Sequence, residues 1–148
     1  MSRPWAYLYD VPEPLPAGLD ALAHDVLGYW ARRSRVARSL GAQAEAAHRM
    51  AARLALESSS KLDQAMVQAR VDLTCGRADE DALLQAVACV SELVRRSKGL
   101  TPHIVQLMGA LALHRGLLAE MATGEGKTLT VAIAAVMTAW AGRTCHVV

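Results

Sequence analysis

The chain has no phenylalanine, and three tryptophans with three tyrosines bring its aromatic share to only 4%. That scarcity argues against a face that holds single-stranded nucleic acid, which needs aromatic platforms interleaved with basic residues. Charge adds no support, because the formal net charge of the 148 residues is +2. Cysteine is sparse as well. Cys75, Cys89 and Cys145 are scattered and form no CxxC pair, so neither a zinc site nor a disulfide framework is indicated, and a reducing cytosol is the expected compartment. His24, His48, His103, His114 and His146 share no metal-ligand spacing. Long apolar runs are missing too. The longest, Leu129 to Gly142, contains two threonines and is too short to cross a bilayer. The start, Met1-Ser2-Arg3-Pro4-Trp5, has a charge but no long apolar core behind it, so no signal peptide is expected. These absences leave a protein that is soluble or only peripherally attached to a membrane.

What the chain does have is alanine, leucine and a hydrophobic content of 53%, enough for one domain with a core and a composition that favours helix. Residues 1–18 hold four of the five prolines and read as an extended, proline-rich arm, with Trp5, Tyr7, Leu8 and Tyr9 available to dock on a surface. Residues 19–98 read as a helical segment. Leu19, Leu22, Val26, Tyr29, Val36, Leu40, Ala44, Ala47, Met50 and Leu54 recur at spacings near three and four, as one long helix or two separated near Gly41. Ser60 is the expected cap of a next helix, Lys61 to about Thr74, stopped by Cys75-Gly76. Asp79-Glu80-Asp81 opens a further one whose inner stripe is Leu83, Val87, Val90 and Val94, ended by Gly99. Thr101-Pro102 predicts a capped helix running to about His114. Between Arg32 and Arg53 six arginines face one acid, Glu45, a stretch that suits either acidic phospholipid headgroups, a channel partner or a solvated helix face.

The most informative stretch is Thr123-Gly124-Glu125-Gly126-Lys127-Thr128. It follows Leu117-Leu118-Ala119-Glu120-Met121, which reads as a strand, and precedes Leu129 to Ala141, which reads as a buried helix. Strand, glycine turn, Lys-Thr and helix is the layout of a nucleotide phosphate cradle. Gly124 and Gly126 can take backbone angles closed to other residues, letting amides converge. The helix start favours an anion. Lys127 can reach outer phosphates, and the Thr128 hydroxyl can ligate a nucleotide-borne magnesium ion. Met121 stands where the strict pattern has a small residue, so only the shorter Thr-Gly-x-Gly-Lys-Thr form is intact. Thr144 to Val148 reads as a second parallel strand. Two strands cannot cover their own faces and edges, and no carboxylate for hydrolysis follows, so the span reads as the incomplete beginning of a larger motor domain, with no catalytic residue of its own.

Residues 99–148 resemble the start of the motor domain of SecA, the ATPase that drives proteins through the bacterial Sec channel. The likeness is carried by Val105-Gln106-Leu107-Met108-Gly109, Ala119-Glu120-Met121, Thr123 through Thr130, and His146-Val147-Val148. It is looser over Lys61 to Lys98, chiefly at Leu73, Gly76, Leu83 and Val94. The resemblance implies an α/β P-loop fold of RecA-like, DEAD-like type, mostly helical in this span with the first two parallel strands. It implies ATP and Mg2+ as cofactors. Gln106 falls where the family places its adenine-reading glutamine. Gly124, Glu125, Gly126 and Lys127, with Thr123 beside them, would hold phosphates, and Thr128 would meet the metal. The implied partners are the Sec channel and unfolded secretory polypeptides, without nucleic acid, in the cytoplasm at the inner membrane. Two departures mark a divergent or accessory member. Ala122 replaces a basic residue beside the loop, and His103, within Leu100-Thr101-Pro102-His103, replaces an aromatic near the base.

Two other readings share the loop. A helicase-type motor predicts a small residue at position 125 more often than Glu, together with the basic, aromatic face that this span lacks. A non-catalytic interaction module is the reading if the gene ends at Val148.

Overall fold

The computed structural model describes residues 35–76, 79–122 and 124–147. The chain divides into two compact units, Met1–Ala37 and Arg38–Val148, and the elements below belong to the second apart from the opening residues of its first helix. The proline-rich arm, Arg32, Arg33 and Thr123 lie outside the described residues. Among the described residues the elements are helices: α1 (Arg35–Leu54), α2 (Ser59–Thr74), α3 (Glu80–Lys98), α4 (Ile104–His114) and α5 (Lys127–Trp140). None is long and apolar enough to cross a membrane.

Helix α1 passes through Gly41 without a break. A side chain there would meet Met108 at ordinary contact distance, so the glycine answers no local demand. Leu40, Gln43, Ala44 and Ala47 form the buried face of α1, and the small size of the two alanines lets it lie close. Helix α2 is capped by Ser58 rather than Ser60. Ser58 has extended backbone angles, and its hydroxyl accepts from Lys61 N at 3.3 Å. Only a residue outside the helix can place its oxygen over the third amide, and Ser60 is already helical. Asp79 caps α3 by accepting from Ala82 N at 2.8 Å, and Gly99 ends it in the left-handed conformation. The cap of α4 also differs from the Thr101-Pro102 expectation: His103 is the flanking residue, and its N–H donates to Gln106 Oε1 at 3.0 Å.

The centre is built from α3, α4 and α5. Val87, Leu107, Leu111, Ile133 and Met137 are fully buried, with Leu73 of α2 and Leu40 of α1 joining them. Each such side chain contributes about 1.5–3 kcal/mol on burial. The α1–α2 turn is held from α3. Arg96 donates to Leu54 O at 3.0 Å, Glu57 O at 2.8 Å and Ser59 Oγ at 3.2 Å. Behind it, the carboxylate of Glu92, 1% exposed, receives Arg95 at 2.7 and 2.8 Å and Arg96 at 2.6 Å.

The two expected strands are a correction. Residues 117–122 and 143–147 are irregular, and no strand occurs among the described residues. A strand exists only through pairing, and a parallel pair is stable only when both faces and its edges are covered. Among the described residues nothing covers these segments in that way: Leu118 is 97% exposed and Val147 66%.

Candidate functional site

The glycine turn leads directly into α5. Gly124 and Gly126 have φ of +93° and +80°, the left-handed region that an L side chain enters only under strain. Gly126 is the residue flanking α5 and brings no side-chain cap. Its carbonyl accepts from Leu129 N at 3.0 Å and Thr130 N at 3.2 Å. The amides ahead of these have no acceptor inside the helix, which is the property that draws an anion to a helix start. Lys127 and Thr128 are the first two helical residues and both are exposed. An ammonium, a hydroxyl and free amides therefore share one helix terminus.

Two side-chain contacts hold the turn, beside the main-chain bond from Glu125 N to Ala122 O at 3.3 Å. Glu125 Oε2 accepts from Ala122 N at 2.9 Å, so the loop carboxylate folds back on its own entry. From α4, Gln106 Nε2 donates to Glu125 O at 2.8 Å while its Oε1 caps α4 through His103 N. Gln106 is 7% exposed. A Cβ on Gly126 would overlap Gln106 Nε2, so glycine is required there twice, for its angle and for its absent side chain. One amide hydrogen and one oxygen lone pair of Gln106 remain uncommitted.

The structure thus brings Gln106, Glu125 and Gly126 into direct contact and sets Lys127 and Thr128 on the next turn. Two features escape a reading of the sequence by motif: the return of the Glu125 carboxylate to Ala122, and the burial of Gly109 and Thr130 against each other. The spacing of Gln106 to Gly109 and of Gly126 to Thr130, three and four residues, is the signal that could have marked the last pair. Met121, the residue that breaks the strict loop pattern, lies against Gly109 with its sulfur.

The shifted titratable groups lie outside the loop. Hydrogen bonds from Arg95, ahead of those from Arg96, hold the Glu92 carboxyl below the usual carboxylate range against the opposing effect of burial. Burial, then the charges of Arg143 and Arg115, lowers His114. Burial pushes the Cys89 thiol up to about 11. A separate groove of about 390 Å³ lies between α1 and α3, with Ala51, Ala52, Glu92, Arg95 and Pro102 in its lining.

A family profile for the SecA DEAD-like domain matches residues 27–148. Among curated proteins, the chain is 45% identical over 140 residues to "Protein translocase subunit SecA 2" of Magnetococcus marinus, covering 93% of this chain and 21% of the relative. It is 39% identical to the SecA 2 subunit of Chlorobium chlorochromatii over 138 residues, with the same two coverages. It is 46% identical to "Protein translocase subunit SecA" of Rubrobacter xylanophilus over 92 residues, 59% of this chain and 10% of that protein. The chain therefore spans about a fifth of the length of the first two relatives. No solved structure matches it significantly. With a matching profile over most of its length and the loop, its two glycines and its Lys-Thr helix start in place, this chain belongs to the SecA DEAD-like domain family.

Proposed function

We propose that the chain is the ATP-binding N-terminal portion of a SecA-like translocase motor, which couples ATP hydrolysis to polypeptide export. One observation carries the reading: a helix whose first residues are Lys127 and Thr128, entered through two glycines at positive φ. The donor set fits a nucleotide phosphate chain. Backbone amides of Gly124, Gly126, Lys127 and Thr128 and the Lys127 ammonium are matched to its negative charge, and the Gly126 position has no room for a side chain beside Gln106. The Thr128 hydroxyl is the hard oxygen ligand for Mg2+ in this span. When bound, the metal ion neutralises phosphate charge. Gln106 presents its remaining donor and acceptor to an adenine edge. No residue of this span is assigned to the cleavage step.

The family's RecA-like P-loop fold would place the strands of the sheet around this loop and its helices. The Sec channel and unfolded secretory polypeptides are the proposed partners, at the cytoplasmic face of the inner membrane, with no nucleic acid. Arg38, Arg49 and Arg53 are exposed on α1 and suit an acidic phospholipid surface, each adding about 1 kcal/mol near it. Arg49 also sits 3.7 Å from Glu45. Titration calorimetry with Mg-ATP tests the central claim. The unmodified chain binds and Lys127→Ala abolishes the heat; equal binding by both, or by neither, overturns the assignment of the loop in this chain.

A further inference from the structure

Gly109 and Gln106 share one face of α4, and Thr130 of α5 lies one turn beyond Gly126, the residue flanking that helix, because three and four residues make about one helical turn. Across the interface the pairs are exchanged. Gln106 covers Gly126, and Thr130 covers Gly109. Each helix offers a glycine to a polar side chain of the other. Gly109 is buried and Thr130 is 0% exposed. A Cβ on Gly109 would stand 2.8 Å from Thr130 Cγ2 and 3.4 Å from Met121 Sδ, so the position is enclosed on two sides.

We propose that the Gly109–Thr130 contact is a positioning device for the phosphate loop, a proposal that rests on the reading of that loop given above. It sets the separation of α4 and α5 at which Gln106 reaches the Glu125 carbonyl. The distances show the sensitivity. Carbon atoms pack at about 3.5–4.0 Å, so a methyl group at position 109 asks α5 to retreat by roughly 0.7–1.2 Å. The Gln106–Glu125 hydrogen bond is 2.8 Å long. The same retreat carries it to about 3.5 Å or beyond, where a hydrogen bond is effectively lost. The backbone of Glu125 and Gly126 is then free of α4. Gly109 and Thr130 carry no charge, so their effect on a nucleotide passes through Gln106.

The test uses the full chain in four forms: unmodified, Gly109→Ala, Thr130→Ser, and the double variant. Thr130→Ser deletes the Cγ2 methyl that the new Cβ would strike. Gly109→Ala is expected to weaken Mg-ATP binding at least tenfold, and adding Thr130→Ser to restore it to within about threefold, a coupling between touching residues. Leu73→Ala, a core truncation in α2, supplies a control that lowers thermal stability without weakening binding. Additive losses in the double variant, or a control that weakens binding as much as Gly109→Ala, overturn the proposal. A second readout needs no nucleotide. The Gln106 side-chain amide protons, followed by NMR, exchange slowly in the unmodified chain, faster in Gly109→Ala, and slowly again in the double variant. That pattern without any ATP binding would sink the functional reading and keep the positioning contact; its absence sinks the contact itself. If Gly109→Ala does not fold, recovery of a folded chain by Thr130→Ser supports the proposal, and failure of the double variant to fold refutes it.

Discussion

The side-chain amide of Gln106 donates to the main-chain carbonyl of Glu125 at 2.8 Å, joining the start of α4 to the glycine turn nineteen residues further on. The same side chain caps its own helix through His103 N. Gln106→Leu removes both bonds and leaves two backbone groups without these partners, at a cost of about 1–3 kcal/mol. Urea denaturation should show the loss as a lower midpoint. Gln106→Glu keeps the acceptor for His103 but has no donor for Glu125, and is expected to fall between. A Leu variant as stable as the unmodified chain would refute the bracing.

Glu92 predicts acid sensitivity. Its folded-state carboxyl titrates below its ordinary value of 4.5, so the unfolded chain takes up the proton first. The stabilisation is complete above pH 4.5 and is lost as pH falls through the lower folded value. Glu92→Gln is expected to lower stability at pH 7 by about 1–3 kcal/mol and to flatten the fall below pH 4.5. An unchanged slope in stability measured from pH 6 to pH 3 would count against it.

His114 acts in a different window. Burial and the charges of Arg143 and Arg115 depress its folded value below 6.5, and the Arg143 guanidinium lies 3.3 Å from its Nδ1. The unfolded chain again binds the proton first, so stability present above pH 6.5 declines as pH drops through the folded value. Thermal melts at pH 7.5 and 5.5 should differ less for His114→Gln than for the unmodified chain.

Cysteine labelling reports on the core. Cys75 and Cys145 are exposed, while Cys89 is buried with its thiol raised to about 11. The thiolate is the reactive form. Iodoacetamide at pH 8 is expected to modify Cys75 and Cys145 in the native chain and Cys89 only after denaturation. Mass spectrometry showing rapid native labelling of Cys89 would place α3 at the surface.

Much of this was readable in advance. The spacing of Leu83, Val87 and Val90 marks the inner face of α3, and Asp79 and Gly99 mark its ends, because caps and stops act within one turn. The glycine turn and its helix were equally plain, since glycines report a turn locally and an apolar run of this length reports a helix. The run Leu117 to Met121 misled. Apolar character announces burial against something, and whether that something is a neighbouring strand is not written in the run itself. Ser58, Ser59 and Ser60 are equivalent as letters, and only the turn before them decides which one caps. The family resemblance singled out Gln106 for adenine, yet its bond to Glu125 depends on how closely α4 approaches α5, a relation between distant residues.

Arg96 binds the α1–α2 corner through the carbonyls of Leu54 and Glu57 and the hydroxyl of Ser59. Two of the three acceptors belong to the backbone, which every residue type supplies. The corner is therefore indifferent to the side chains at positions 54 and 57 as far as this arginine is concerned, but it is strict about how many residues separate them. Replacements there are inexpensive, whereas a single inserted or deleted residue moves an acceptor out of reach of the guanidinium. Length, not lettering, is what this corner demands.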